Sequence, residues 1–223
     1  MDVSIRSLFV GVPAPLGIFA GVTVMAYFLG CFNGAVVVSR FILRNDVRNH
    51  GSGNAGLTNF YRTFGGGMTL IVLAADVMKT VVAVELSVAI YSCFLPGVPV
   101  FIRYWTGLFC MLGHMFPCMF QFHGGKGVLS SGALVFLLDW RIAAMLWGVF
   151  LLVVLVTRYV SLGACCGVAL FPLMSALVYR SVDVTVMAAL IAALVIWQHR
   201  SNIRRLMRGE ESKFHFQKKK VEP

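Results

Sequence analysis

Charge is scarce in this chain of 223 residues: Asp, Glu, Lys and Arg make up only 13% of it, against about a quarter in an ordinary soluble domain. Hydrophobic residues make up 59%, and the mean hydropathy is +0.83. So few charges cannot cover a water-facing surface, and so apolar a chain is not intrinsically disordered. The composition therefore predicts a membrane protein with several spans.

Motifs for metal binding and for common hydrolases are also missing. The six cysteines lie in or near apolar segments without the spacing of metal ligands, so we interpret them as packing residues. No C-x-x-C, H-E-x-x-H or G-x-S-x-G pattern occurs, and no histidine has an aspartate five positions after it. Metal-dependent hydrolysis, serine-esterase chemistry and the His-x4-Asp acyltransferases lack support. We expect neither a metal nor a cofactor.

Apolar stretches predict an all-α membrane protein with seven transmembrane helices. Seven spans of roughly 20 residues would use about 140 residues. The fourth helix is short for a span, and it is expected to begin inside the protein. No repeat or second domain is visible, so residues 1–223 are predicted to form one integral-membrane domain. The predicted helices are Leu16–Phe41, Met68–Leu95, Phe101–Phe120, Val128–Leu138, Arg141–Val156, Tyr159–Tyr179 and Val184–Trp197.

The net charge of +10 is distributed unevenly along the chain. An external N-terminus leaves only Arg6, Arg103, Arg141 and Arg180 outside, whereas fourteen of the 19 Lys and Arg residues fall on the other side. This bias predicts a cytoplasmic C-terminus with a basic tail at about 200–223. The clusters of basic residues on this side are typical of segments that contact anionic membrane lipid or phosphate substrates. We expect no binding of nucleic acid.

The first of three polar clusters begins at His50 and is rich in glycine. Ser52 is a plausible helix N-cap, and a glycine-flanked helix start with free N–H groups is an anion site. In a helix that follows directly, Asn54, Thr58 and Arg62 would share one stripe. The alternative is a connector whose polar groups face water. The candidate substrate contacts are Gly51, Ser52, Gly53, Asn54, Thr58, Asn59 and Arg62.

The second cluster precedes the fourth helix. Glycines and a lysine before a helix start can hold phosphate, although the spacing is not that of a Walker A motif. The alternative is a tight turn from which the lysine reaches the lipid headgroups. The candidate residues are His114, Gly124, Gly125, Lys126 and Gly127.

The third cluster, His199, Asn202 and Arg205, lies where the last helix leaves the membrane. His199 and Asn202 would share a face that points toward the other two clusters. The alternative is a basic helix end that lies on anionic lipid. Within the second span, Asp76 and Lys79 are spaced to form an ion pair.

Together these residues resemble the PlsY family, the acyl-phosphate-dependent glycerol-3-phosphate acyltransferases of bacterial inner membranes. The resemblance implies seven helices, a cytoplasmic-facing site and transfer of a fatty acyl group from acyl phosphate to the sn-1 hydroxyl of glycerol 3-phosphate. The shared positions include Gly30, Asp46–Arg48, 51–54, Gly56, Thr58–Asn59, Arg62, Asp76, Lys79, Gly113–His114, Phe116–Pro117, 124–127, Arg158–Tyr159, Ser161, His199, Asn202–Ile203, Arg205–Leu206, Gly209 and Glu211. The sequence departs from the family at Cys31, Thr80, His123 and Ala164.

Acyl phosphate has a good leaving group, so the enzyme mainly has to position its substrates and neutralise charge. We expect Ser52, Arg62 and Lys126 to hold the phosphates, and His199 and Asn202 to orient glycerol 3-phosphate. The proton acceptor is either His199 or a phosphate oxygen. The enzyme that makes acyl phosphate is a candidate partner. The alternative function is a small transporter or lipid scramblase, which would need charges spread through several spans.

Overall fold

The computed structural model describes residues 14–95, 97 and 99–214, and all regular elements within them are helical. Residues 96 and 98 and the basic tail from residue 215 onward lie outside the described residues. The helices are α1 (Ala14–Cys31), α2 (Gly34–Val37, extended by a π-helical turn, Val38–Ile42), α3 (Leu57–Phe64), α4 (Gly66–Phe94), α5 (Val100–Met115), α6 (Val128–Leu138), α7 (Trp140–Thr157), α8 (Val160–Ala169), α9 (Phe171–Tyr179), α10 (Val182–Gln198) and α11 (Arg200–Met207).

Two helices that hydropathy predicts as continuous are interrupted. The first breaks after Cys31 and the sixth at Leu170, whereas the seventh, predicted to end at Trp197, ends at Gln198. Pro172 stands in the first turn of α9, where a missing N–H is tolerated, so it can follow a break. The third helix ends at Met115, before Pro117, rather than at Phe120. The fourth, α6, has the predicted bounds.

The lengths of the helices agree with a membrane protein. Among the described residues, α4, α7 and the segment Val160–Tyr179 are each long and apolar enough to cross a bilayer. Two further spans result if α1 with Gly34–Ile42, and α10 with α11, are each counted as one bent helix. The structure thus supports three to five spans by length and composition, and seven spans stay a prediction.

A buried ion pair in α4 satisfies backbone groups that the first break leaves without helical partners. Lys79 Nζ lies 2.7 Å from Asp76 Oδ1 and donates to the carbonyl oxygen of Phe32 at 3.0 Å. The Gly34 N–H donates to Asp76 Oδ1 at 3.1 Å. Unpaired backbone groups are costly away from water, so this predicted ion pair makes the break between α1 and α2 tolerable.

Helices α1 and α5 cross at very short range, because glycines stand at the contact. A Cβ at Gly113 would lie 2.0 Å from the carbonyl oxygen of Tyr27, and one at Gly30 would lie 2.0 Å from that of Cys110. Small residues let membrane helices approach in this way. The crossing sets the position of the C-terminal end of α5, which carries His114.

Replacing Gly113 with alanine is expected to lower the Tm in detergent by several degrees. The added methyl group would collide with the backbone of α1, and overpacking of this kind costs about 1–3 kcal/mol. The matched control is Gly148→Ala in α7, where nothing lies within 4 Å of an added Cβ. The control should keep or raise the Tm, because alanine favours a helix by about 1 kcal/mol over glycine. Equal Tm values for the two variants would contradict the close crossing.

Candidate active site

The three polar clusters converge on one cavity of about 990 Å³. Twelve of the fifteen residues proposed from the sequence line it. Gly53, Gly124 and Gly125 do not. The twelve are Gly51, Ser52, Asn54, Thr58, Asn59, Arg62, His114, Lys126, Gly127, His199, Asn202 and Arg205.

The first cluster is shaped by the amide of Asn59. Its Oδ1 accepts from the Ser52 N–H at 3.0 Å, and its Nδ2 donates to the carbonyl oxygens of Val47, His50 and Asn54 at 3.0–3.2 Å. All of these bonds are internal to the loop. Asn59 therefore orders the loop, and its contact with a substrate stays a prediction.

The helix after this loop begins later than the sequence suggested. Gly56, rather than Ser52, occupies the N-cap position of α3, so Asn54 lies before the helix. Thr58 and Arg62 remain one turn apart and both line the cavity. Ser52 and Arg62 are exposed, which puts them at the mouth.

The second cluster folds back on the end of α5. The N–H groups of Gly124 and Gly125 donate to the carbonyl oxygens of Met115 and His114, each at 3.1 Å. These two glycines therefore do not offer N–H groups to a phosphate, contrary to the expectation from the sequence. They are needed for contact, since a Cβ at Gly125 would lie 2.2 Å from His114 Nε2. Gly127, at φ +78°, provides the left-handed turn into α6.

The third cluster depends on the bend at His199, where α10 and α11 meet at 56°. His199 Nδ1 lies 2.7 Å from the carbonyl oxygen of Val195. A carbonyl can only accept, so Nδ1 carries the proton, and in the neutral ring Nε2 keeps a lone pair. His199 is only 3% exposed. The ring is thus a proton acceptor held beside the cavity.

Lys126 and Asn202 form a hydrogen bond across the cavity, with Lys126 Nζ donating to Asn202 Oδ1. Burial, together with the nearby cations of Arg205 and Arg62, lowers the pKa of Lys126 to about 8. Because this pKa lies close to neutral pH, an anion that binds beside the amine would favour its charged form.

Glu211 and Ser161 lie in the site although the sequence analysis did not single them out as site residues. Ser161 Oγ and Asn202 Nδ2 donate to Glu211 Oε1 at 2.7 and 2.6 Å, and Arg205 Nε donates to Oε2 at 2.7 Å. Burial alone would raise the pKa of Glu211, but these bonds outweigh it and hold the pKa below the usual range. The available signals were that both positions are shared with the family pattern and that Glu211 is acidic in a basic stretch.

The segment around Glu211 also closes one side of the cavity. The Ser212 carbonyl oxygen accepts from Arg62 at 3.1 Å, and the Phe214 N–H donates to the Arg158 carbonyl oxygen at 2.7 Å. The chain after α11 therefore joins α3 to the turn between α7 and α8. A sequence pattern does not reveal such a contact, because Arg62 and Ser212 are 150 positions apart.

An apolar groove continues from the polar cavity. Val128, Trp147 and Phe150 line both. The groove runs between α6, α7, α8 and α10, and Ala164 is the one departure from the family pattern that lines it. Its remaining walls are formed by Ser131, Gly132, Val135, Leu146, Gly167, Val168, Phe171 and Val195.

A cationic cavity that opens into an apolar groove, in a helical membrane protein, defines an integral-membrane enzyme for a phosphorylated and a lipid-like substrate. Comparison with known proteins gives the particular family. The model of the glycerol-3-phosphate acyltransferase family matches residues 20–209, and the chain belongs to this family.

Curated relatives support the assignment over most of their length. The chain is 35% identical over 190 residues to the glycerol-3-phosphate acyltransferase of Thermoanaerobacter pseudethanolicus, covering 85% of this chain and 92% of that one. It is 36% identical over 193 residues to the enzyme of Clostridioides difficile, covering 86% and 93%.

Two solved structures share the fold. PlsY (YgiH), an integral membrane glycerol 3-phosphate acyltransferase, matches in its glycerol 3-phosphate form with a TM-score of 0.79 and 33% identity, covering 88% of this chain and 96% of that one. Its lysophosphatidic acid form matches with a TM-score of 0.76 and 32% identity, covering 88% and 95%. The fold is therefore that of PlsY.

The pKa of Lys126 predicts how activity depends on pH. The amine is charged below about pH 8 and loses its attraction for phosphate above that value. Because kcat/KM reports the free enzyme, it should fall at high pH, by roughly tenfold at pH 9 relative to pH 7. The variant Lys126→Arg should lack this decline in its normalised profile, since arginine stays charged. Lys213→Arg, on an exposed lysine outside the cavity, should keep it. A wild-type profile that is flat to pH 9.5 would refute the prediction.

Proposed function

We propose that this protein transfers a fatty acyl group from acyl phosphate to the sn-1 hydroxyl of glycerol 3-phosphate, giving lysophosphatidic acid and phosphate. One observation carries the proposal: Ser52, Arg62, Lys126 and His199, from three distant segments, line one cavity that continues into an apolar groove. Both substrates carry phosphate, and only one carries an acyl chain. A cationic cavity joined to a groove fits this pair.

The cations of the cavity would hold the two phosphates. Arg62 at the mouth offers a fork of N–H donors, and Lys126 and Arg205 add charge farther in. Ser52 adds a hydroxyl. Asn202 would act through Lys126, because its Oδ1 accepts from Nζ and its Nδ2 is bonded to Glu211. Contact of Asn202 with glycerol 3-phosphate stays a prediction.

His199 is our candidate for the proton acceptor. The sn-1 oxygen attacks the acyl carbonyl carbon while its proton passes to His199 Nε2. The bond between carbonyl carbon and phosphate oxygen then breaks, and the phosphate leaves with the electron pair. The imidazolium can return the proton to that phosphate. The hydrogen bond to Val195 supports this role, since it leaves Nε2 with a lone pair on a side chain that lines the cavity.

The remaining expectations concern the membrane. We propose seven spans in a single domain of residues 1–223, an external N-terminus, and a site that faces the cytoplasm of a bacterial inner membrane. The positive-inside bias supports this orientation, and the bases of α11 would contact anionic lipid. The enzyme that makes acyl phosphate remains a candidate partner. No observation favours a transporter, because Asp76 and Lys79 neutralise each other within the fold.

Purified protein in detergent should release free phosphate from palmitoyl phosphate only when glycerol 3-phosphate is present. Palmitoyl-CoA in place of the acyl phosphate should give no transfer. The variant His199→Gln should lower kcat by about 10²–10⁴, the usual contribution of a general base.

The matched control for this variant is His123→Gln. His123 is exposed and does not line the cavity, so kcat should stay within twofold of the wild type. Normal kcat in His199→Gln would exclude His199 as the base and leave a phosphate oxygen as the acceptor. Transfer from palmitoyl-CoA at a similar rate would refute the donor class.

The groove predicts a dependence on acyl-chain length. Ala164 is 6% exposed and lines the groove, so Ala164→Leu should fill part of it and raise KM for palmitoyl phosphate at least tenfold more than for octanoyl phosphate. The loss of a few buried methylenes costs about 0.8 kcal/mol each, which is enough for this effect. Ala144→Leu, on an exposed face of α7, should leave the ratio unchanged. An equal effect on both chain lengths would show that the groove does not hold the acyl chain.

A further inference from the structure

His114 is a buried residue of the cavity lining, in contrast to the exposed Arg62 at the mouth. It stands in the last turn of α5 and is 3% exposed. Its Nδ1 lies 2.6 Å from Lys79 Nζ. Its Nε2 lies against Gly125, and the His114 side chain is part of the cavity lining.

The contacts of Lys79 determine which nitrogen of His114 carries the proton. An ammonium group has three N–H donors and no acceptor. Lys79 Nζ has three neighbours at hydrogen-bond distance: the Phe32 carbonyl oxygen, Asp76 Oδ1 and His114 Nδ1. Lys79 forms its ion pair with Asp76 as an ammonium group, so each neighbour must accept. Nδ1 of His114 therefore carries a lone pair, and the proton is on Nε2.

The two histidines of the cavity thus have opposite tautomers. In His199 the Nδ1 proton is bonded to Val195, which leaves Nε2 as an acceptor. In His114 the Nε2–H is the donor, and the described residues supply no hydrogen-bond partner for it. An N–H without a protein partner, on a side chain that lines a cavity, is placed to bind a ligand oxygen.

The position and charge of this donor indicate which oxygen it binds. The proposed phosphate ligands, Arg62, Lys126 and Arg205, are cations, whereas His114 is a neutral donor. The three protons of Lys79 are already used, so that amine adds no free donor here. A preformed neutral donor acts best on an oxygen that becomes negative only in the transition state.

We propose that His114 Nε2–H donates to the carbonyl oxygen of the acyl donor and stabilises the oxyanion formed when the sn-1 hydroxyl attacks. Lys79 and Asp76 are positioning residues that fix the tautomer of His114. This inference rests on the function proposed above and adds a donor to it. The ion pair thereby has a role in catalysis as well as in the fold.

The first test compares two substitutions of His114. Loss of an oxyanion donor lowers kcat by about 10²–10³, so His114→Leu should show a loss of this size with KM for glycerol 3-phosphate within threefold. His114→Gln keeps an acceptor for Lys79 and an N–H donor, and it should retain at least ten times the kcat of His114→Leu. If both variants keep kcat within twofold of the wild type, the proposal is refuted.

The second test reads the tautomer directly and does not depend on turnover. In protein labelled with ¹⁵N-histidine, the His114 resonances are those that are absent from the spectrum of His114→Gln. These resonances should show a protonated Nε2 and an unprotonated Nδ1. The double variant Asp76→Leu/Lys79→Met should shift this resonance toward mixed tautomers and lower kcat at least tenfold. Protonated Nδ1 in the wild type would overturn the proposal even if the double variant failed to fold.

An ion pair between α4 and α5 serves as the control. Glu85 of α4 pairs with Arg103 at 2.7 Å, and neither lines the cavity. Glu85→Leu/Arg103→Met should change neither kcat nor the His114 resonance. Wild-type protein that cannot acylate glycerol 3-phosphate would refute the proposed function. An active wild-type protein whose His114 variants keep the wild-type kcat would refute only this inference.

Discussion

The Asp76–Lys79 ion pair is the contact on which the rest of the structure depends. Two charges buried among apolar helices are costly unless every donor and acceptor is satisfied. Here the pair bonds to backbone groups at the break between α1 and α2, and to His114 of α5. It therefore holds three helices at one point. The break in turn holds the glycine-rich loop that precedes α3, because Asn33 Nδ2 donates to the carbonyl oxygen of Ala55 at 3.1 Å.

Electrostatic roles in the cavity are divided between charged and neutral groups. The cations Arg62, Lys126 and Arg205 suit phosphate, and Glu211 among them limits the repulsion when no substrate is bound. The histidines have distinct protonated nitrogens because each ring has a different neighbour. One neighbour is a carbonyl oxygen and the other an ammonium group. The same side chain thus serves as an acceptor at one position and as a donor at the other.

Sequence patterns predicted the helices better than the details of the loops. Hydropathy located α6 and nearly located α4 and α7, because a lipid-facing helix must be apolar along its whole length. The breaks at Phe32–Asn33 and Leu170 were not predicted, since the local sequence is mostly apolar there. Glycine motifs identified the right segments but the wrong donors: Gly124 and Gly125 pack against α5, and Asn59 orders its own loop.

The sequence by itself determined the membrane class, the family and twelve of the residues that line the cavity, because hydropathy, charge asymmetry and ordered motifs are local properties of the chain. Only the tertiary structure decided where the helices break, which amides are already used, and which nitrogen of each histidine carries a proton. Those properties depend on partners far apart in the chain, such as Lys79 and Phe32, 47 positions apart, or Lys126 and Asn202, 76 positions apart. A hydrogen bond is set by position in space, which spacing along a sequence does not give.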